Sequence, residues 1–343
     1  MIGHSISSRR RRAGLAAGIA LLSAITMTPL PAKADNGGVG FWLPGTMGSL
    51  SAVPGQPGMS YTFQYIHLDA TAGGGKAIQN NARIVAGLRA KADVGVFLPT
   101  YTFATPVLGG QLTIGAATVP GNIGVDINAT LTGPRGNAIS GSSFDNRVTW
   151  GDIYYIGTLK WNFGVNNFMT YVFGNIPSGT YDSTRLANLS PGFVAVDTGA
   201  GYTYLDPKAG HEFSVVAGFS FNGTNRDLDY RNGIDFHADW AASQFIGKSV
   251  HAGLVGYVYQ QVTGDSGTGA RLGDNKGTAI AIGPQIGFFF PAMEGYTGYL
   301  NLRGYADLHT ENRPANVTFL ATLSFAPAAP EKPATPRGPR HLK

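Results

Sequence analysis

From residue 59 onward the chain repeats one pattern: stretches of about ten residues in which apolar and polar side chains take turns. A period of two puts one set on each face of an extended strand, whereas a helix needs a period near 3.6, so this is a strand signal. Ile123, Val125, Ile127, Ala129 and Leu131 interleave with Asn122, Gly124, Asp126, Asn128 and Thr130. Ile84, Ala86, Leu88 and Ala90 do the same with Arg83, Gly87, Arg89 and Lys91. Further on, Leu300 and Leu302 face away from Tyr299, Asn301, Arg303, Tyr305 and Asp307, and the last such stretch alternates Val317, Phe319, Ala321, Leu323 and Phe325 with Asn316, Thr318, Thr322 and Ser324. The fold class is all-β.

A soluble sandwich can alternate in this way with its apolar face inward. Two further features separate that reading from a membrane barrel. The first is export. Arg9 to Arg12 form a basic start, Ala13 to Met27 an apolar core, and Ala32-Lys33-Ala34 a small-residue cleavage site, so residues 1–34 read as a signal peptide removed before Asp35. Charged residues make up only 13% of the chain, yet beyond the signal no run of 18 apolar residues exists, so no helix spans a bilayer. A closed barrel is the remaining way to satisfy every backbone group in lipid.

The second feature is loop length. Fourteen candidate strands begin near residues 59, 81, 94, 110, 122, 149, 167, 193, 211, 234, 249, 277, 296 and 316, with twelve as the alternative count. Connections at Asp93, Pro120-Gly121, 164–166, 205–210, 247–248 and 291–295 are short, and those at 70–80, 133–148, 176–192, 223–233, 263–276 and 309–315 are long; only 105–109 breaks the alternation. Short turns on one side and long loops on the other describe an outer-membrane barrel, here spanning residues 59–325 in a Gram-negative envelope. Aromatic residues such as Tyr154, Trp161, Tyr202, Trp240, Tyr257, Tyr296 and Tyr299 fall mostly near strand ends, where interfacial girdles lie.

Outside the barrel, residues 35–58 are rich in glycine and proline and carry the apolar patch Phe41, Trp42 and Leu43, a candidate plug for the lumen. Residues 326–343 form a proline-rich basic tail of the disordered kind. The 25 basic residues exceed the 20 acidic ones only because the signal holds five bases and no acid, so the mature chain is neutral and nothing points to nucleic acid. Cysteine is absent, which removes disulfides and thiolate metal sites.

If the apolar set meets lipid, the polar set lines the lumen. The candidates are Arg83, Arg89, Lys91, Asp126, Asp152, Lys160, Glu212, Asp235, His237, Asp239, Arg303 and Asp307, a lining of mixed sign that would pair across a narrow interior. Asp235, His237 and Asp239 share a strand face, which suits a cation or, more plainly, a polar lumen. No His-Glu-x-x-His spacing supports zinc, and no cofactor is expected. Gly264-Asp265-Ser266-Gly267 looks like a serine-protease nucleophile segment, but Thr268 stands where a glycine would follow and the segment lies in a loop. Asp227, Asp229 and Asn232 half-resemble a calcium loop with its glycine misplaced. The chain reads as a passage and not an enzyme.

Six phrases in order carry a family likeness: Phe41-Trp42-Leu43-Pro44-Gly45, Gly151-Asp152-Ile153-Tyr154, Ile176-Pro177-Ser178-Gly179-Thr180-Tyr181, Asp229-Tyr230-Arg231-Asn232-Gly233, Gly256-Tyr257-Val258-Tyr259-Gln260-Gln261 running into Thr263-Gly264-Asp265-Ser266-Gly267, and Ile282-Gly283-Pro284-Gln285-Ile286-Gly287. With these the chain resembles the meta-pathway phenol degradation-like (SphA) family of bacterial outer-membrane proteins from about residue 38 to residue 325. The resemblance implies a transporter-like role in the uptake of small aromatic or hydrophobic compounds, with outer-membrane lipid, that ligand and the barrel-assembly machinery as partners. A general diffusion porin for polar solutes and a structural surface protein are the alternatives. One departure concerns the carboxyl end: barrels of this kind close on an aromatic residue read during assembly, and here eighteen residues follow Phe325.

Overall fold

The fold is seen in a computed structural model that describes residues 41–73, 78–80, 83–85, 87–132, 138–273 and 276–330. The signal-peptide reading of residues 1–34, and the tail beyond residue 330, lie outside the described residues. The elements in chain order are β1 (Gly58–Ala72), β2 (Ile78–Asn80), β3 (Arg83–Val85), β4 (Gly87–Thr102), β5 (Gln111–Ala117), β6 (Pro120–Thr132), β7 (Ala138–Trp150), β8 (Ile153–Phe163) and β9 (Asn166–Ile176). They continue with β10 (Ala195–Asp206), β11 (His211–Asn222), β12 (Thr224–Asn225), β13 (Tyr230–Arg231), β14 (Asp235–Ile246), β15 (Val250–Gln261), β16 (Thr278–Pro291), β17 (Tyr296–Glu311) and β18 (Ala315–Pro327).

Fourteen strands form one antiparallel sheet, and twelve of them close a ring by pairing β1 with both β18 and β4. The other two, β6 and β7, are upward continuations. β4 pairs with β5 along Thr100–Thr102 and with β6 along Gly87–Val94, so β5 and β6 lie end to end beside one neighbour. Likewise β8 faces β5 and β7 faces β6. Ala117 stands opposite Tyr154 and Pro120 opposite Trp150, which leaves one more residue on the β7–β8 side. That mismatch is a bulge at Gly151-Asp152, pinned where the Gly151 amide donates to the Val119 carbonyl at 2.7 Å.

The sheet thus has the fourteen strands expected, and the closed ring has twelve, the alternative count. Asp93 is no turn: β4 runs through it without a break. The stretch 133–148, expected as a loop, contains most of β7. The ring is twelve-stranded, and a hairpin projects from it. Four of the expected short turns are present at 164–165, 207–210, 247–249 and 292–295, joined at the same end by 103–110. Gly164 and Gly247 take left-handed backbones there, φ 71° and 70°, which residues with a Cβ adopt at a cost.

The outside of the ring carries an apolar belt, including Phe63, Ile114, Phe168, Val172, Phe213, Phe219, Leu254, Val317 and Phe319, all exposed. So much exposed apolar surface suits lipid and not water. Above the belt the exterior changes. On β1, β4 and β6 the outward residues are Asp69, Arg89, Lys91, Asp93 and Asp126, and Asp69 is bridged by Arg89 at 3.1 Å and Lys91 at 3.2 Å. The apolar partners on the same strands, Leu88, Ala90, Ala92, Ile123 and Val125, point inward and are buried. The sequence reading of these strands is thus inverted for Arg89, Lys91 and Asp126, which do not face the lumen. Past the bilayer the exterior faces water, so the polar set moves outside while the period of two stays the same.

Candidate functional site

The lumen has two unlike halves. Along β10, β11, β14, β16 and β17 the inward side chains are mostly polar, and residues 41–53 are bound to several of them. Asp239 is buried and its carboxylate accepts from the amides of Gly45 at 2.9 Å and Met47 at 3.1 Å. Arg303 donates to the carbonyls of Gly45 at 3.1 Å and Thr46 at 3.3 Å, and the Tyr305 hydroxyl adds a bond to Gly45 at 3.1 Å. Glu212 receives the Ser49 hydroxyl at 2.9 Å and the Leu50 amide at 3.1 Å. Thr203 accepts from the Ala52 amide at 3.1 Å. The strands thus supply side chains that stand in for the ladder partners this glycine- and proline-rich segment cannot find in a sheet. Gly45 is required where it sits: its φ is 85°, and a Cβ would meet the Tyr305 ring at 2.9 Å.

Trp42 anchors the segment. Its indole lies flat on His237, centroids 3.9 Å apart and planes 13° from parallel, and meets Tyr171 and Phe173 at about 6 Å. His237 is held by Asp197 at 2.9 Å, and Asp197 in turn takes the Tyr171 hydroxyl at 2.6 Å. Phe41 packs on Phe173 at 5.1 Å.

The other half, along β1, β4, β6, β8 and β9, encloses a cavity of about 650 Å³. Its upper wall is apolar, built from Ile66, Leu68, Ala90, Ala92, Val94, Ile123 and Val125. Its lower wall turns polar, with Thr62, Gln64, Thr100, Thr113, Thr158 and Lys160. Phe41, Trp42 and Phe173 form one side of it, and Tyr299, Asn301 and Arg303 on β17 with Thr322 and Ser324 on β18 complete the lining. The connection 177–194 lies across the top, adding Tyr181, Leu186 and Leu189 to the lining. That connection is tied to the projecting hairpin, where Asp145 on β7 takes the Arg185 guanidinium and the Leu186 and Ala187 amides, the latter two at 3.0 Å.

Each residue singled out from the sequence can now be placed. Asp152 is buried at the bulge, where it accepts from Asn175, Ser190 and the Gly179 amide and so holds the 177–194 connection. Lys160 and Arg303 line the cavity, and Glu212 and Asp239 bind residues 41–53. Asp235, His237 and Asp239 share a face but not a partner: Asp235 takes the Tyr259 hydroxyl at 2.6 Å and the Asn222 amide at 2.8 Å, while the other two bind as above. Asp307 takes the Tyr257 hydroxyl and the Asn316 amide. Arg89 and Asp126 are outside, and Arg83 lies beyond the residues whose side chains are described. Asp265 binds Tyr230, Gly233 and Gln261, and Ser266 pairs through its backbone with Arg231, so the protease-like phrase serves as a loop clasp. Among the described residues no group of three or more His, Cys, Asp or Glu side chains is placed to hold a metal. Asp197, Tyr171 and Asp145 carry no sequence signal of their roles, since nothing in their spacing sets them apart from neighbouring strand residues.

Comparison with known proteins fits this geometry. Residues 71–323, about three quarters of the chain, match the family model described as putative MetA-pathway of phenol degradation. The chain belongs to this family. Among solved structures it is similar to the COG4313 outer membrane channel from Pseudomonas putida F1, at 15% identity and a TM-score of 0.57, over 80% of this chain and 96% of that one. A Pseudomonas aeruginosa FadL homologue aligns at 8% identity and a TM-score of 0.39, over 85% and 97% of the two chains. No curated protein sequence matches. The fold of this family member is that of an outer-membrane channel.

Proposed function

We propose that this outer-membrane barrel passes a small hydrophobic or aromatic compound across the membrane through the apolar half of its lumen, with residues 41–53 acting as a plug of the polar half. The observation that carries this reading is the inward set Ile66, Leu68, Ala90, Ala92, Val94, Ile123 and Val125 around about 650 Å³ of space. That volume falls in the range of small-molecule sites, ~300 to 1,000 Å³, which are mostly apolar with a few placed polar groups. A channel for polar solutes needs polar groups along its length, and the β1, β4 and β6 wall from Val94 to Ala90 supplies none. The family's link to phenol degradation agrees in chemistry. In this reading catalysis plays no part, lipid surrounds the belt, and the barrel-assembly machinery reads Phe325 on β18 during biogenesis.

The test compares uptake of radiolabelled toluene and of glucose by cells that carry or lack the protein. Faster toluene entry with unchanged glucose entry is expected. A large ohmic step in planar bilayers, together with glucose entry, would establish the general-porin reading instead.

A further inference from the structure

The base of the apolar cavity carries a cation that the barrel leaves largely without partners. Resting on the reading above, we propose that the compound carried is a small amphipathic carboxylate, its apolar body against the β1, β4 and β6 wall and its carboxylate received by Lys160.

Lys160 points inward from β8 into the cavity, and its ammonium makes one long bond, to the Val53 carbonyl at 3.4 Å. An ammonium has three donors, so most of its capacity is unused. None of the ion pairs among the described residues includes it. The other charged groups of the lumen are engaged: Asp239, Glu212 and Arg303 all bind residues 41–53. One neighbour of Lys160 shares its condition. Thr158, two residues earlier on the same face and also lining the cavity, has a buried hydroxyl with no partner.

A charged amine beneath an apolar wall is costly unless an opposite charge joins it. One ammonium and one hydroxyl donor suit a singly charged head with two oxygens, which a carboxylate supplies. The wall above is uncharged from Leu98 on β4 up to Ala90, eight residues of strand or roughly 26 Å at ~3.3 Å per residue. A ligand that meets both regions must be charged at one end only.

The experiment titrates the full chain in phosphatidylcholine nanodiscs with 4-phenylbutyrate and with its neutral counterpart 4-phenylbutan-1-ol, at pH 7, by calorimetry. The carboxylate is expected to bind at least tenfold more tightly than the alcohol. K160M should bring the two to parity while moving alcohol affinity less than twofold, and K160R should restore most of the preference. Equal affinities in the unaltered protein, or a preference that survives K160M, would overturn the proposal. If the alcohol binds without any preference, only this inference falls. If neither probe binds, the hydrophobic-passage reading falls with it. Should K160M not fold, the comparison of the two probes on the unaltered protein still decides.

Discussion

The two halves of the lumen are built from the same kind of strand and solve opposite problems. Along β10 to β17 the inward face is mostly polar and crowded, and Asp239, Glu212, Thr203 and Arg303 on it bind the backbone of residues 41–53. Along β1 to β8 the inward face is apolar over its upper part and encloses open space. The difference teaches that a polar lining closes a narrow barrel, because each buried polar group demands a partner and the partner fills the lumen. An apolar lining makes no such demand and can remain open.

Several changes would break or sharpen that contrast. The largest effect belongs to Val125→Arg, which puts an uncompensated charge into the open half, where burial costs several kcal/mol. Toluene uptake should fall by more than tenfold while the folded barrel keeps its heat-resistant mobility on gels; unchanged uptake would mean the solute travels elsewhere. Next comes Asp239→Ala in the filled half. It removes two bonds from backbone amides to a carboxylate, each worth about 1.5 to 3 kcal/mol. Residues 41–53 should then loosen, and single-channel recordings should show frequent openings to small ions; a silent trace would mean the segment does not seal that half. Gly45→Val should act the same way, since a β-branched residue is strained at a φ of 85° and its Cβ would also meet the Tyr305 ring at 2.9 Å.

Smaller still is Trp42→Ala at the boundary. Losing the flat contact with His237 removes about 0.5 to 1.5 kcal/mol of ring pairing beyond the area lost, and a few-fold rise in leak current is expected, well below that of Asp239→Ala. The smallest effect lies outside both halves. Thr268 binds the Asp229 carboxylate through its hydroxyl at 2.7 Å and its amide at 3.0 Å, which holds that carboxyl below the ordinary aspartate value. A group lowered in this way lends the loop its order above the ordinary range and loses it as pH falls through the lowered value. Protease nicking within 263–273 should therefore rise only in acid, with uptake at neutral pH untouched by Asp229→Ala.

Much of the barrel was legible in the sequence because period-two alternation and turn chemistry are local. The turns at Gly164 and Gly247 could be read from a few residues each. What could not be read was which face of a strand is wet. Ile123 and Val125 alternate with Asp126 as cleanly as Val317 and Phe319 alternate with Thr318, yet the first pair faces the cavity and the second faces outward. The pattern states that the two faces differ; height relative to the bilayer decides their sense, and height is not a local property. The bulge at Gly151-Asp152 was hidden for a related reason, since a one-residue slip appears only when both strands are paired. Residues 41–45 stand out in composition, but their contacts do not. Their partners Asp239 and Arg303 lie 194 and 258 residues from Gly45 in sequence, and no spacing rule connects them.

That separation bears on the order in which the molecule can be assembled. Gly45 meets Asp239 across 194 positions and Arg303 across 258, and Ser49 meets Glu212 across 163. None of these receptors is in place until β11, β14 and β17 have joined the sheet, with β15 and β16 standing between the last two. The stretch that leaves the ribosome ahead of every strand thus finds its seat only after those three strands are made.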